Sequence, residues 1–290
     1  MRPGPFILLC STGLFAIFSS TISKSPILPL FATHLGADPS GVGVIASVSA
    51  FTGVVASIPA GMLSDKFGRE RMLMFSVIVF STAPFMYLMV TELWQLAAIR
   101  FYHGLATAIF IPVSMALVSD LFHKTRGEKI GWFSTSTLVG RFMAPIVGGI
   151  IIGIMVFNQE LSYRIVYLVC GIAGITALIF ALKLPDSNPP SPPFDKGGMG
   201  GFLGEEKRNP SWKETLRTFR EVISSRGILI TGIVEAAILF AYGTLETFLP
   251  LYSIKSGLSA YEVGIFLSAQ VITLALTKPP IFDSDRHILA

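Results

Sequence analysis

Hydrophobic runs of membrane length alternate with short polar links along almost the whole chain. A spanning helix needs about 20 mostly apolar residues. Such runs fall at roughly 6–33, 41–62, 72–90, 94–119, 130–156, 163–182, 227–250 and 261–277, and they predict eight membrane-spanning helices. The first run is too long for a signal peptide, has no small-residue cleavage site and is followed at once by another run, so it reads as the first helix of a bundle. Composition supports the pattern. The 290 residues are 52% hydrophobic and only 14% charged, with mean hydropathy +0.66. Soluble domains carry about 25% charged residues, so this much apolar surface does not fit a water-soluble core. The predicted class is all-α, a polytopic membrane protein.

The polar links fix the orientation. The link after the second run carries Lys66, Arg69 and Arg71, and the link after the fourth carries Lys124, Arg126 and Lys129. The link after the sixth carries eight Lys and Arg residues between Lys183 and Arg226. The alternate links hold almost none: Arg164 sits at the edge of the fifth and Lys255 in the seventh. The positive-inside rule then places the N-terminus and the even-numbered links in the cytoplasm of a cell, with the chain in the plasma (inner) membrane.

Three regions follow along the chain. Residues 1–184 form a six-helix bundle. Residues 185–212, rich in proline and then glycine, form a flexible cytoplasmic linker, because such a composition cannot pack a core. Residues 213–290 hold an amphipathic helix and two further spans. The amphipathic stretch has apolar residues at 212, 216, 219, 222 and 223, which is helical spacing; it either lies at the membrane interface or is a plain solvated helix.

An internal repeat links the first and third regions. At an offset of 221, Leu28-Pro29-Leu30 falls on Leu249-Pro250-Leu251, Gly36 on Gly257, Val42-Gly43 on Val263-Gly264, Ser47 on Ser268 and Pro59 on Pro280. Self-similarity at this scale means two copies of one bundle. Six spans separate the copies, so both run in the same direction. Ser284-Asp285-Arg286 matches Ser64-Asp65-Lys66 at an offset of 220, one residue short, and the second copy has no equivalent of Gly61. The expectation is a shortened form of a twelve-helix protein; a self-sufficient eight-helix protein is the alternative.

Four short patterns carry chemistry. The first is Gly61-x-Leu-Ser-Asp65-Lys-x-Gly68-Arg69-x-Arg71, which packs five charges and two glycines between two apolar runs. Gly61 would let two helices approach, Asp65 would end a helix, Gly68 would permit a tight turn, and Arg69 could reach Asp120. The second is Gly131-x8-Gly140-x3-Ala144-Pro145-x2-Gly148-Gly149, a closely packing and bendable helix. The third is Leu96-x3-Arg100-x2-His103-Gly104-x-Ala106, and the fourth is Pro26-Ile-Leu-Pro29.

These patterns resemble signatures of the major facilitator superfamily (MFS) of transporters, and the second resembles that of its drug:proton antiporters, with Ala144 in place of a glycine. His103 stands where a glutamine is usual. The resemblance implies twelve helices in two parallel-repeat halves about a midplane substrate site. It implies that the Gly61–Arg71 loop acts as a cytoplasmic latch through charge pairs and an acid facing a helix N-terminus.

Six ionisable residues fall inside the apolar runs: Lys24, Arg100, His103, Arg141, Glu235 and Glu246. Arg100 lies about 9 Å into its helix at 1.5 Å per residue. A charge at that depth is a functional candidate by default, although snorkelling to the outer interface is the alternative. Arg141, about 16 Å in, is placed to bind an anionic group or hold a carboxylate charged. Glu235, about 12 Å in, suits a proton carrier, since a carboxylate that deep is costly to keep charged. Lys24 and Glu246 sit at equivalent ends of repeated helices and could pair as an outer gate. A purely structural role stays open for each of the four.

The reading is a secondary transporter that exports small organic molecules in exchange for protons. A proton-linked importer of sugars or organic anions, and a membrane protein that transports nothing, are the alternatives. The expected partners are a small-molecule substrate, protons and the lipid bilayer, with no nucleic acid. No nucleophile–base set or phosphate loop points to an enzyme. Cys10 and Cys170 both lie in apolar runs and the four histidines lack ligand spacing, so neither a disulfide, a metal nor another cofactor is expected.

Overall fold

The structure, a computed structural model, describes residues 4–184 and 224–277. The expected linker, the amphipathic stretch at 212–223 and the second-copy match at 278–286 lie outside the described residues. The described residues are helical apart from short turns: α1 (Pro5–Ile22), α2 (Ile27–His34), α3 (Pro39–Phe67), α4 (Arg69–Tyr87), α5 (Leu93–Leu121), α6 (Arg126–Ile154), α7 (Gln159–Ala181), α8 (Arg226–Lys255) and α9 (Ala260–Thr277). By contacts the chain forms one compact unit from residues 1–185 with 245–290, and a second from 186–244. The division falls within α8, so its segment from Leu245 onward and α9 belong to the first unit.

The first apolar run is not one helix. It breaks between Ile22 and Ile27, where Ser23–Pro26 form turns. Pro26 and Pro29 lack the N–H that would continue the ladder, so α2 restarts only past Pro26. Among the described residues six helical segments are long and apolar enough to cross a membrane, among them the joined α1–α2 segment, α5, α6, α7 and α8. Eight were expected. Helix α4 falls short because its first turn holds Arg69, Glu70 and Arg71, and α9 offers only a shorter apolar stretch, Ala260–Thr273.

Caps set the helix starts. The Asp38 carboxylate accepts from the Gly41 N–H at 2.8 Å, and the Asn158 side chain accepts from the Leu161 N–H at 3.0 Å. Glu92 and Gln95 form a reciprocal capping box at the start of α5.

In the first unit, α1 packs on α6 and α7, α3 on α5, and α4 on both α5 and α7, while α9 packs on α6. One cluster of buried side chains gathers Ile22, Leu28, Phe31, Tyr87 and Tyr167, and a second gathers Leu9, Phe80, Phe110 and Phe133. Large apolar side chains such as Val54, Met89 and Ile154 point outward, as the lipid-facing surface of a membrane bundle requires.

The repeat is also present as structure. Gly36 and Gly257 both adopt positive φ, 92° and 90°. After α2, the Gly36 N–H donates to the Thr33 carbonyl and the Ala37 N–H to the Ala32 carbonyl; after α8, the Gly257 N–H donates to Ile254 and the Leu258 N–H to Ser253. Every partner is shifted by the same 221 positions. Both turns end a helix in the left-handed conformation that glycine adopts without steric cost.

Candidate functional site

Helix α6 is the element around which the first unit's candidates gather. It can touch its neighbours backbone to backbone because its contact positions lack side chains. A Cβ added at Gly140 would collide with the Leu14 carbonyl oxygen of α1. At Gly148 it would lie 3.3 Å from Pro26 Cδ, and at Gly149 it would lie 2.5 Å from the Ala260 carbonyl oxygen of α9. Gly264 completes the seam from the other side, against the Pro145 carbonyl oxygen. The Ser268 hydroxyl donates to the Phe142 carbonyl at 2.8 Å along the same seam. The seam thus joins α6 to a helix of the second copy.

A cross-copy ion pair accompanies it. Lys24 Nζ lies 2.7 Å from Glu246 Oε2. Lys24 occupies the break between α1 and α2, and Glu246 the α8 segment belonging to the first unit. The side chains are 41% and 13% exposed, so solvent screens the pair and its contribution to stability stays small, about 0.2–1 kcal/mol.

At the opposite end of the bundle, Arg69 Nη1 lies 2.7 Å from Asp120 Oδ2, joining the start of α4 to the end of α5. Gly68 makes the turn between α3 and α4 at φ 95°. Two expectations for this loop need correction. Helix α3 does not end at Asp65 but runs on to Phe67, because Gly68 is the first residue to leave the helical conformation. Gly61 does not seat a neighbouring helix: a Cβ there meets nothing within 4 Å. Arg71 is exposed.

Arg100 is interior, 3% exposed. His103 stands one turn further along α5 and is also buried. The Tyr87 hydroxyl of α4 lies 3.5 Å from His103 Nδ1. The Tyr87 ring stacks on Tyr167 of α7, with centroids 4.6 Å apart and 16° between the planes. Sequence reasoning missed both tyrosines, since each reads as an ordinary aromatic in an apolar run. Ser268 was noted only as a repeat match.

Arg141 is exposed, although Ala144 and Pro145, one turn further along α6, are buried. Among the described residues no hydrogen bond or ion pair joins it to Arg100 or to the Lys24–Glu246 pair. Glu235 belongs to the second unit, where it lines a shallow recess along α8 with Ser225, Ile228 and Thr231. Among the described residues no group of three or more His, Cys, Asp or Glu side chains is placed to hold a metal ion.

The family model of the Major Facilitator Superfamily matches residues 8–281. The chain is a member of the major facilitator superfamily. It is 26% identical to an uncharacterized MFS-type transporter of Methanocaldococcus jannaschii, over 88% of this chain and 61% of that protein. It is 25% identical to multidrug resistance protein 1 of Bacillus subtilis, over 94% of this chain and 64% of that protein. It is 24% identical to the quinolone resistance protein NorA of Staphylococcus aureus, over 93% of this chain and 64% of that protein. The chain thus spans less than two thirds of the length of these relatives. Among solved structures, a bacterial homolog of the human lysosomal transporter Spinster matches with TM-score 0.73 at 19% identity, covering 95% of this chain and 61% of that one. A D-xylose–proton symporter matches with TM-score 0.60 at 12% identity. These two likenesses support the MFS fold of an all-α, multi-pass membrane protein.

Proposed function

We propose that this MFS chain belongs to a secondary transporter that exports small organic molecules in exchange for protons. The observation that carries the reading is the glycine face of α6. Gly140 docks on α1 while Gly149 meets Gly264 and Ala260 of α9, so one helix joins a fixed partner of the first copy to a partner of the second. Such a seam suits two repeats that rock about a midplane site. The similarity to multidrug and quinolone resistance proteins supports export and a small-molecule substrate.

Several residue roles follow. Lys24 and Glu246 serve as an outer gate beside the α6–α9 seam. Gly68, Arg69, Arg71 and Asp120, with Gly61 and Asp65, serve as the cytoplasmic latch, and the N-terminus faces the cytoplasm of a plasma membrane. Glu235 is the proton carrier, because it is one of two carboxylates well inside an apolar helix and the other, Glu246, is paired with Lys24. Arg141, near the midplane of α6, faces substrate. In this reading residues 1–184 are the first bundle, 185–212 the linker and 213–290 part of the second bundle.

Dye efflux tests the reading. The chain would be expressed in cells lacking their own exporters, and retention of a fluorescent organic cation measured with and without a protonophore. Export predicts lower retention that the protonophore abolishes, and a Glu235→Gln variant that retains dye like the empty cells. Retention equal to empty cells, for a chain shown to be folded in the membrane, overturns the reading.

A further inference from the structure

Among the described residues Arg100 is a buried charge without a counter-charge. No Asp or Glu stands in the body of α1–α7; Asp38, Asp65, Glu70, Glu92, Asp120, Glu128 and Glu160 all sit at or next to helix ends. Among the described residues Arg100 makes no ion pair. A lone guanidinium in a bundle interior is strongly disfavoured unless something negative accompanies it.

The Tyr87 hydroxyl oxygen accepts from Arg100 but carries no charge to offset it. Three buried polar atoms in this cluster have no hydrogen-bond partner: Arg100 Nε, His103 Nε2 and the Tyr167 hydroxyl. A guanidinium only donates. With its oxygen accepting from Arg100, the Tyr87 hydroxyl has its proton to give to His103 Nδ1, 3.5 Å away, and that tautomer carries the ring proton on Nε2. The Tyr167 hydroxyl keeps its own proton to give. The nearby Cys170 and Ser19 satisfy each other: the thiol donates to the Ser19 carbonyl and the Ser19 hydroxyl to the Cys170 carbonyl, both at 3.0 Å. One fixed positive charge and three idle donors, all held on α5 and α7 and braced by Tyr87 of α4, are the complement of a small anion.

We propose that Arg100, His103 and Tyr167 form a monovalent-anion site inside the first six-helix bundle, taking a free halide or the carboxylate of an organic anion. The proposal does not depend on the direction of transport or on transport at all. Helices α4, α5 and α7 would close around the anion, which would then act as an integral part of the bundle.

The test is thermal unfolding of the whole chain in lipid nanodiscs. Sodium chloride and sodium benzoate would each be compared with sodium gluconate at matched ionic strength. The wild type should gain about 2–4 °C in Tm, saturating with anion concentration. A gain with chloride identifies a free-anion site, and a gain with benzoate alone identifies a site for an organic carboxylate. Either gain should vanish in Arg100→Gln and shrink in Tyr167→Phe, which keeps the ring stacking. Arg100→Gln should also be the more stable protein in gluconate, because the uncompensated charge is gone. No gain in the wild type with either anion overturns the proposal, and so does a full gain retained in both variants. Should Arg100→Gln not fold, a full gain retained in Tyr167→Phe overturns it alone.

Discussion

The two copies of the repeat start from the same local instructions and end in different surroundings. The turns at Gly36 and Gly257 share their φ values and their hydrogen bonds. The helix starts after them share a cap: Asp38 accepts from the Gly41 N–H, and Ser259 accepts from the Glu262 N–H, 221 positions on. Burial then diverges. Phe31 is 6% exposed, wedged edge-on against Tyr163 and Tyr167, whereas its counterpart Tyr252 is 72% exposed. Local backbone geometry follows from a few residues in sequence, while burial depends on which other helices arrive.

The largest expected effect breaks the comparison at that pair. Phe31→Ala should destabilise the bundle by about 3–5 kcal/mol, and Tyr252→Ala by no more than about 0.5 kcal/mol; unfolding of the purified protein in nanodiscs reads both. Equal losses would mean that Tyr252 is as enclosed as Phe31. Overpacking comes next. Gly140→Leu, against the α1 backbone, should cost about 1–3 kcal/mol or more in the same assay. Gly149→Leu should instead separate α6 from α9, seen as lost cross-linking between cysteines placed along that seam. Retained cross-linking would count against a close backbone contact there.

The turns sharpen the comparison from the side where the copies agree. Gly36→Ala and Gly257→Ala each force a Cβ into a left-handed conformation and should each cost about 1–2 kcal/mol. A marked difference between them would show that burial, not backbone geometry, sets the cost. The smallest effect belongs to the ion pair between the copies. A double-mutant cycle on Lys24→Ala and Glu246→Ala should give a coupling of about 0.2–1 kcal/mol, reduced by salt. A coupling of zero at low salt would remove the pair from the gate.

Much of this was legible in the chain. The match of Gly36 to Gly257 marked the positions where the structure repeats one turn, because turn chemistry is local. Arg69 with Asp120, and Lys24 with Glu246, could be paired from their positions at helix ends. What stayed hidden depends on three-dimensional neighbours. The break at Ser23–Pro26 is invisible to a hydropathy window, which averages across it. Gly61 looked like a packing glycine and touches nothing nearby, whereas Gly264 looked ordinary and meets a carbonyl. Tyr87 and Tyr167 are 80 residues apart in sequence, and nothing in either run announces that their rings stack.

The glycine seam between α6 and α9 has a further consequence, which lies in entropy. Closing a contact between side chains freezes their rotamers, at up to about 1.5–2 kcal/mol for the long ones, while glycine and alanine have none to freeze. Gly149, Gly264 and Ala260 can therefore meet and part without any such loss or gain. The free energy of the seam is left to dispersion, to the solvation of the Pro145 and Ala260 carbonyls and to the Ser268–Phe142 hydrogen bond. Its opening and closing should depend only weakly on temperature-driven side-chain disorder.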